Sequence, residues 1–265
     1  MANILEQLAD YARLRVREDK ARVSASQLLK AIDDREKKGE CRREFQFETA
    51  LRKEGLSFIC EVKKASPSKG LIDPEFRYLE IAQAYEAAGA DAISCLTEPK
   101  WFLGSDEIFR QIRAAVDTPM IRKDFTVDEY QIYQAKAMGA DAVLLICALL
   151  DENTLKSFFG ICESLGISAL VETHDEEEMK MASSIGARLI GVNNRNLKDF
   201  SVNIENSRRL RELAPPGALF VSESGIRTAQ DIPPLKACGV DAVLIGEALM
   251  RAADKKKTLE EFRSV

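Results

Sequence analysis

The chain has 265 residues, 46% of them apolar and 31% charged, with 38 Lys and Arg against 43 Asp and Glu for a formal net charge of -5. That composition excludes collagen, a coiled coil and wholesale disorder, and the mildly acidic balance argues against a nucleic-acid binder, which carries a basic face or stripe. Nowhere do about 18 apolar residues run together to span a membrane, and Ile4, Leu5 and Leu8 are mixed with Glu6 and Asp10, unlike a signal peptide, so the expected location is the cytoplasm.

Six cysteines (Cys41, Cys60, Cys95, Cys147, Cys162, Cys238) form no C-x-x-C pair. Cys60, Cys95 and Cys147 sit in apolar runs, where a thiol acts as a small hydrophobe. Neither a disulfide nor a structural zinc is expected. His174 is the only histidine, so a His-rich metal site is excluded and acid–base work falls to lysines and carboxylates.

Residues 1–57 read as an N-terminal helical extension packed on the domain that follows. Ile4, Leu8 and Ala12, with Leu5 and Tyr11 beside them, share one helical face. Residues 33–40 (DDREKKGE) read as a solvated connector containing Gly39, and a short helix over about 45–53 delivers the chain to the first strand. A membrane or partner helix is the alternative for the first segment, though its apolar face lacks Trp. Residues 58–265 read as the single catalytic domain.

The first strand, residues 58–63, ends Cys60-Glu61-Val62-Lys63. Alternation puts Glu61 and Lys63 on one face and Cys60 and Val62 on the other. The apolar pair fits a helix layer, so the charged pair is expected to point inward. An internal repeat follows: Gly89-Ala90-Asp91-Ala92-Ile93 returns as Gly139-Ala140-Asp141-Ala142-Val143, Gly186-Ala187-Arg188-Leu189-Ile190 and Gly239-Val240-Asp241-Ala242-Val243. Each glycine ends a helix-like stretch, where a left-handed residue carries no Cβ penalty. Each then opens an apolar run that reads as a strand buried on both faces. Between the copies lie strands at 119–124, 168–172 and 219–223. Eight strands alternating with helices at this length predict an α/β fold, a (β/α)8 TIM barrel with an N-terminal helical extension. An open doubly wound sheet is the alternative, but no G-x-G-x-x-G follows the first strand.

Active sites of such barrels sit at the C-terminal strand ends. Here the third strand ends Ile121-Arg122-Lys123-Asp124 and the fifth Leu170-Val171-Glu172. The sixth ends Val192-Asn193-Asn194-Arg195, the seventh Glu223-Ser224-Gly225 and the eighth Ile245-Gly246-Glu247. Glu61, Glu172 and Glu223 with Lys63 and Lys123 compensate one another's desolvation at one mouth, which reads as a functional site. Taken singly, Glu61 and Glu223 fit structural ion pairs equally well, Arg195 an exposed loop, and His174 a loop residue or helix cap. Gly225 and Gly246 stand where this fold holds a phosphate on backbone N–H groups.

The segment Glu61-Val62-Lys63-Lys64-Ala65-Ser66-Pro67-Ser68, with Leu96-Thr97-Glu98, Trp101-Phe102-Leu103-Gly104-Ser105, Lys123-Asp124-Phe125, Glu172, Gly191-Val192-Asn193-Asn194-Arg195 and Glu223-Ser224-Gly225-Ile226, closely resembles the indole-3-glycerol-phosphate synthase family over essentially the whole chain. The resemblance implies a decarboxylating, dehydrating ring closure of 1-(2-carboxyphenylamino)-1-deoxy-D-ribulose 5-phosphate in tryptophan biosynthesis, without metal or organic cofactor. It implies Lys123 as general acid and Glu172 as its acid–base partner. Lys63 holds substrate anions, with Glu61 orienting it. Asn193 and Ser224 position substrate. Ser66, Phe102, Arg195, Leu197 and Glu223 line the substrate, Phe102 and Leu197 around its aromatic ring. Gly225, Gly246 and Glu247 contact phosphate through the backbone, provided the Glu247 side chain turns away. The loop 66–70 is expected to move over bound substrate. Lys63 pushes the Lys123 pKa down, and Glu61 and Glu172 push it up. The only partner expected is a small phosphosugar, with no nucleic acid and no membrane, on a monomer or weak homodimer. A sister isomerase using Cys and Asp, a Schiff-base aldolase and an inactive binding barrel are the alternatives.

Overall fold

The computed structural model describes residues 4–196 and 199–265. Eight parallel strands close into a barrel: β1 Ser57–Val62, β2 Ala92–Leu96, β3 Met120–Lys123, β4 Ala142–Ile146, β5 Ser168–Thr173, β6 Leu189–Asn193, β7 Leu219–Glu223 and β8 Ala242–Ile245. β1 pairs with both β2 and β8, which closes the ring. Before the barrel come α1 Ile4–Arg22, α2 Ala25–Lys37 and α3 Gln46–Leu51. Around it run α4 Tyr78–Ala87, α5 Asp106–Ala115, α6 Tyr130–Ala137, α7 Glu152–Ser164, α8 Glu176–Ser184, α9 Glu205–Arg211, α10 Ile232–Ala237, α11 Glu247–Arg251 and α12 Lys255–Arg263. Among the described residues no helix is long and apolar enough to cross a membrane.

Alternation divides the core as the sequence pattern predicts. Cys60, Val62 and Cys95 pack outward with Phe109, Ile112 and the other helix residues. Ile59, Ile121, Leu144, Leu170, Leu189 and Leu244 fill the barrel interior. Register then sets the functional residues near one height, with Leu96 opposite Lys123, Glu172 opposite Gly191, and Asn193 opposite Glu223.

The repeat has a structural reason beyond its glycines, which take φ of 75°, 85°, 76° and 77°. Its aspartates tie strand starts together. Asp91 accepts the Phe58 N–H at 2.9 Å, Asp141 that of Met120 at 2.8 Å, and Asp241 that of Phe220 at 2.8 Å. The copy with Arg188 in that place instead reaches Glu48 of α3, with two nitrogens each 3.0 Å from a carboxylate oxygen. Phe47 and Leu51 of α3 join the inner core, and the Glu48 N–H meets Ser168 Oγ at 3.4 Å, so α3 plugs the N-terminal end of the barrel. The opposite end is rimmed by α1, where Leu5 and Leu8 line the mouth.

The connector expected at 33–40 is corrected by the structure: α2 continues through Lys37. Ser24 and Gln27 form a reciprocal capping box at its start. That Ser-x-x-Gln signal is local, whereas only Ile32 of α2 is buried, so the hydrophobic pattern is too thin to show the helix. Ser24→Ala is expected to lower stability by about 1 kcal/mol, read as a shift in urea midpoint at unchanged slope.

Candidate active site

The mouth holds a cavity of about 780 Å³ lined from all the strand ends and their loops. Glu61, Glu172 and Glu223 are each no more than 4% exposed. Burying three carboxylates so deeply demands cations, and two lysines supply them. Lys123 Nζ donates to Glu223 Oε2 at 2.7 Å and to Glu172 Oε2 at 3.1 Å. Lys63 pairs with Glu61, whose other oxygen accepts from Ser94 Oγ at 3.4 Å. Asn193 Nδ2 reaches Glu172 Oε1 at 3.3 Å, and its Oδ1 accepts the Arg195 N–H at 3.0 Å.

Electrostatics follow from this geometry. Burial alone would depress the Lys123 pKa, but Glu223, Glu172 and Glu61 overturn that and hold it above the ordinary lysine value. The competition left open by the sequence is thus won by the carboxylates. Burial pushes the Glu172 carboxyl up, yet Lys123 and His174 bring it below its ordinary value. Glu223 goes the other way, to about 7: burial raises it, Lys123 only partly offsets that, and the Glu172 charge adds to the rise. Its Oε1 is buried without a hydrogen-bond partner, as suits a carboxyl that keeps a proton.

Glu223 therefore predicts a pH signature. A raised carboxyl pKa means that the native state binds the proton more tightly than the unfolded chain. The resulting stability is complete below the ordinary carboxyl range and is lost as pH rises through about 7. Glu223→Gln is expected to gain thermal stability relative to the parent at pH 8 and not at pH 4.5. Melting scans at the two pH values check this.

Loops complete the walls. Glu98, fully buried, accepts the N–H groups of Lys100 (2.9 Å), Trp101 (2.7 Å) and Phe102 (2.9 Å) and so fixes the turn that presents Phe102. Phe102 packs against Phe125, their ring centroids 6.1 Å apart. A Cβ on Gly104 would collide with the Leu96 carbonyl, so this return of the chain needs glycine. The 66–70 loop forms a small antiparallel hairpin, Ser66 opposite Gly70, over one side of the mouth. Ser66 faces the cavity, and Lys69 reaches Glu247 at 3.5 Å. The Glu247 carboxylate is also 3.2 Å from Arg251, so its charge is answered on two sides.

At the end of β7, which lies beyond β8 from β1 in the ring, Ser224 and Gly225 both take positive φ, 65° and 95°. A Cβ on Gly225 would lie 2.9 Å from Val202, and one on Gly246 would meet the Glu61 carboxylate and lie 2.9 Å from Lys63 Nζ. Both glycines thus allow close approach of backbone to the cavity. Arg195 bridges to Val202 and is half-buried there rather than exposed. Burial, with Arg227 nearby, holds its pKa below the ordinary value despite Glu247. Leu197 lies outside the described residues.

The mouth thus gathers Glu61, Lys63, Ser66, Phe102, Lys123, Glu172, Asn193, Arg195, Glu223, Ser224, Gly225, Gly246 and Glu247. Sequence reasoning misses Arg227, a second cation on the glycine side, and the Glu98 turn. Arg227 directly follows the Ser224-Gly225-Ile226 run, and that adjacency is the signal which points to it.

Known proteins resemble this chain along nearly its whole length. The family model described as indole-3-glycerol phosphate synthase matches residues 5–262. The indole-3-glycerol phosphate synthase of Ruminiclostridium cellulolyticum is 54% identical over 260 residues, covering 98% of each chain. That of Lachnoclostridium phytofermentans is 46% identical over 269 residues, 99% of each. Among solved structures, a 3-hexulose-6-phosphate synthase aligns with a TM-score of 0.64 at 16% identity, over 79% of this chain and 99% of that one, which speaks for the fold alone.

Proposed function

The chain belongs to the indole-3-glycerol phosphate synthase family, carbon–carbon lyases of tryptophan biosynthesis, and we propose that its barrel mouth closes the indole ring with Lys123 as the general acid. The substrate class is a small phosphosugar, here 1-(2-carboxyphenylamino)-1-deoxy-D-ribulose 5-phosphate. Its phosphate sits on the backbone N–H groups of Gly225, Gly246 and Glu247, with Arg195 and Arg227 as counter-charges. Its aromatic ring packs on Phe102, beside Ser66. Its carboxylate is met by Lys63, which Glu61 orients.

The observation that carries the reading is a buried ammonium held between two carboxylates, Lys123 between Glu172 and Glu223. An ammonium of raised pKa is a poor donor to a neutral ketone. It is suited to the alkoxide that develops as the ring carbon attacks, so Lys123 gives its proton as that charge appears. Carbon dioxide then leaves, and loss of the new hydroxyl as water follows, with a proton supplied to the leaving oxygen by Lys63. Glu172, held ionised, accepts the proton released as aromaticity is restored. Asn193 and Ser224 steady the intermediates by hydrogen bonds. Loss of carbon dioxide from an ionised carboxylate consumes one proton per turnover, which solvent returns to Lys123.

The same geometry disfavours the other enzymatic readings. A Schiff-base aldolase needs a neutral amine, and three carboxylates keep Lys123 charged. An isomerase using Cys needs a thiol in the mouth, and Cys60 and Cys95 pack into the outer layer. We read residues 1–57 as part of one catalytic unit with 58–265, acting in the cytoplasm as a monomer or weak homodimer.

Pure protein with the carboxyphenylamino deoxyribulose phosphate should generate indole fluorescence. Tight binding without turnover would reduce the chain to a binding barrel. Absence of binding would overturn the assignment of the mouth.

A further inference from the structure

His174 is the chain's only histidine, and the ring closure described above does not use it. It stands two residues beyond Glu172 at the end of β5, while Thr173 between them turns away to donate to the Gly191 carbonyl at 3.1 Å. The ring lies on the wall between the mouth and a second cavity of about 430 Å³, lined by His174, Asp175, Glu178, Asn193, Asn194 and Asn206 among others.

Its setting is rigid. Glu178 Oε2 accepts the His174 backbone N–H at 2.8 Å and lies 3.2 Å from Nδ1. The His174 carbonyl accepts from Asn206 Nδ2 at 3.0 Å. A carboxylate beside Nδ1 assigns that nitrogen its hydrogen. Nε2 then faces Glu172 Oε1 at 3.6 Å, buried and without a hydrogen-bond partner. A bare lone pair there would repel the carboxylate, and a proton on Nε2 converts the repulsion into attraction. The ionisable surroundings favour that proton. Glu172 comes from β5, Asp175 and Glu178 from the start of α8, and Glu223 from β7. Lys123 of β3 lies beyond Glu172, and the Cys147 thiol after β4 is kept neutral by burial. Asn193 and Asn206 are uncharged.

We propose that His174, clamped by Glu178, is a positioning residue that holds an imidazolium against Glu172 and keeps this carboxylate ionised and aimed into the mouth. The role rests on the reading of Glu172 as the acid–base partner of Lys123. Burial works against the imidazolium, but the Glu178 hydrogen bond and the Glu172 and Glu178 charges outweigh it, so the ring keeps its proton above the ordinary histidine range. Reciprocally, His174 adds to Lys123 in holding Glu172 low.

A single histidine makes the test direct, because its imidazole resonances in an untagged chain need no assignment. In the parent, the NMR titration is expected above the ordinary value of about 6.5, and Glu172→Gln and Glu178→Gln should each lower it. In His174→Leu the acid limb of kcat/KM should move up by about one pH unit, with kcat reduced at pH 6 and KM little changed. His174→Gln, which keeps an N–H but no charge, should restore part of kcat and leave the acid limb displaced. A titration at or below the ordinary value that ignores Glu172→Gln would overturn the proposal without recourse to any variant's folding. So would an acid limb unmoved in both His174 variants. If Glu172→Gln turned over substrate at the parental rate, the reading of Glu172 itself would fall, even with the NMR coupling present.

Discussion

Replacing Lys123 by Met is expected to lower kcat by ~10²–10⁴-fold, the usual contribution of a positioned acid or base. Binding should suffer far less, because Lys63, Arg195 and Arg227 line the same cavity and remain. A stopped assay of indole fluorescence gives the rate, and quenching of the substrate's own fluorescence gives the affinity. Lys123→Arg should not rescue the rate, since a guanidinium keeps its proton more firmly than an ammonium and cannot deliver it to an alkoxide in the same place. A loss of only a few-fold in kcat would mean that another group is the acid.

The same substitution carries a stability signature. It leaves Glu172 and Glu223 buried without the cation that both now accept from. Two buried carboxylates that have lost their shared cation either repel or take up a proton. Lys123→Met should therefore melt near the parent at pH 5.5 and clearly below it at pH 8.5. A pH-independent difference between the two would argue that Lys123 contributes to packing alone.

Much of this site is legible in the amino-acid sequence. Glu61, Lys63, Lys123 and Glu172 stand out because charges follow apolar inward neighbours, Ile59, Ile121 and Leu170, at the strand ends, and period-two alternation assigns each a side. The ring of strands is legible because the Gly-Ala-Asp repeat, with its Gly-Ala-Arg and Gly-Val-Asp variants, marks every second helix-to-strand return. Hidden are contacts between residues far apart in the chain. Asp91, Asp141 and Asp241 each tie down a strand start 21 to 33 residues earlier, which composition cannot reveal. The Leu96-Thr97-Glu98 motif does not disclose its own reason, which lies in three N–H groups converging on the Glu98 carboxylate. The reach of α2 escapes the hydrophobic pattern because most of its residues face solvent. His174 reads in sequence as a loop residue or cap, since nothing there says that its ring turns back onto Glu172.

Asp124 carries the other large effect, and it is structural. It directly follows Lys123 and is 2% exposed. Arg15 of α1 grips it at both oxygens, 3.0 and 2.6 Å, Thr97 Oγ1 donates at 2.6 Å, and the Phe125 N–H at 2.8 Å. Arg122 stands 3.6 Å away and is itself paired to Asp106. Burial opposes the Asp124 charge, but Arg15 and Arg122 hold its carboxyl below the ordinary value. Asp124→Ala strands the Arg15 guanidinium, while Arg122 keeps Asp106, and breaking such a buried pair costs about 3–5 kcal/mol. Arg15 is also the tie between α1 and the strand end, so the wall formed by Leu5 and Leu8 should loosen and KM should rise together with the stability loss. Because the folded-state pKa is depressed, the contribution is present above the unfolded carboxyl value and disappears as pH falls through the folded one. Arg15→Met, which removes the cation nearest Asp124, should accordingly lose stability less steeply between pH 5 and pH 3 than the parent. Urea unfolding across that range, with KM measured at pH 7.5, decides it. A loss in Asp124→Ala below about 1 kcal/mol, at unchanged KM, would show that α1 is held by its apolar face alone.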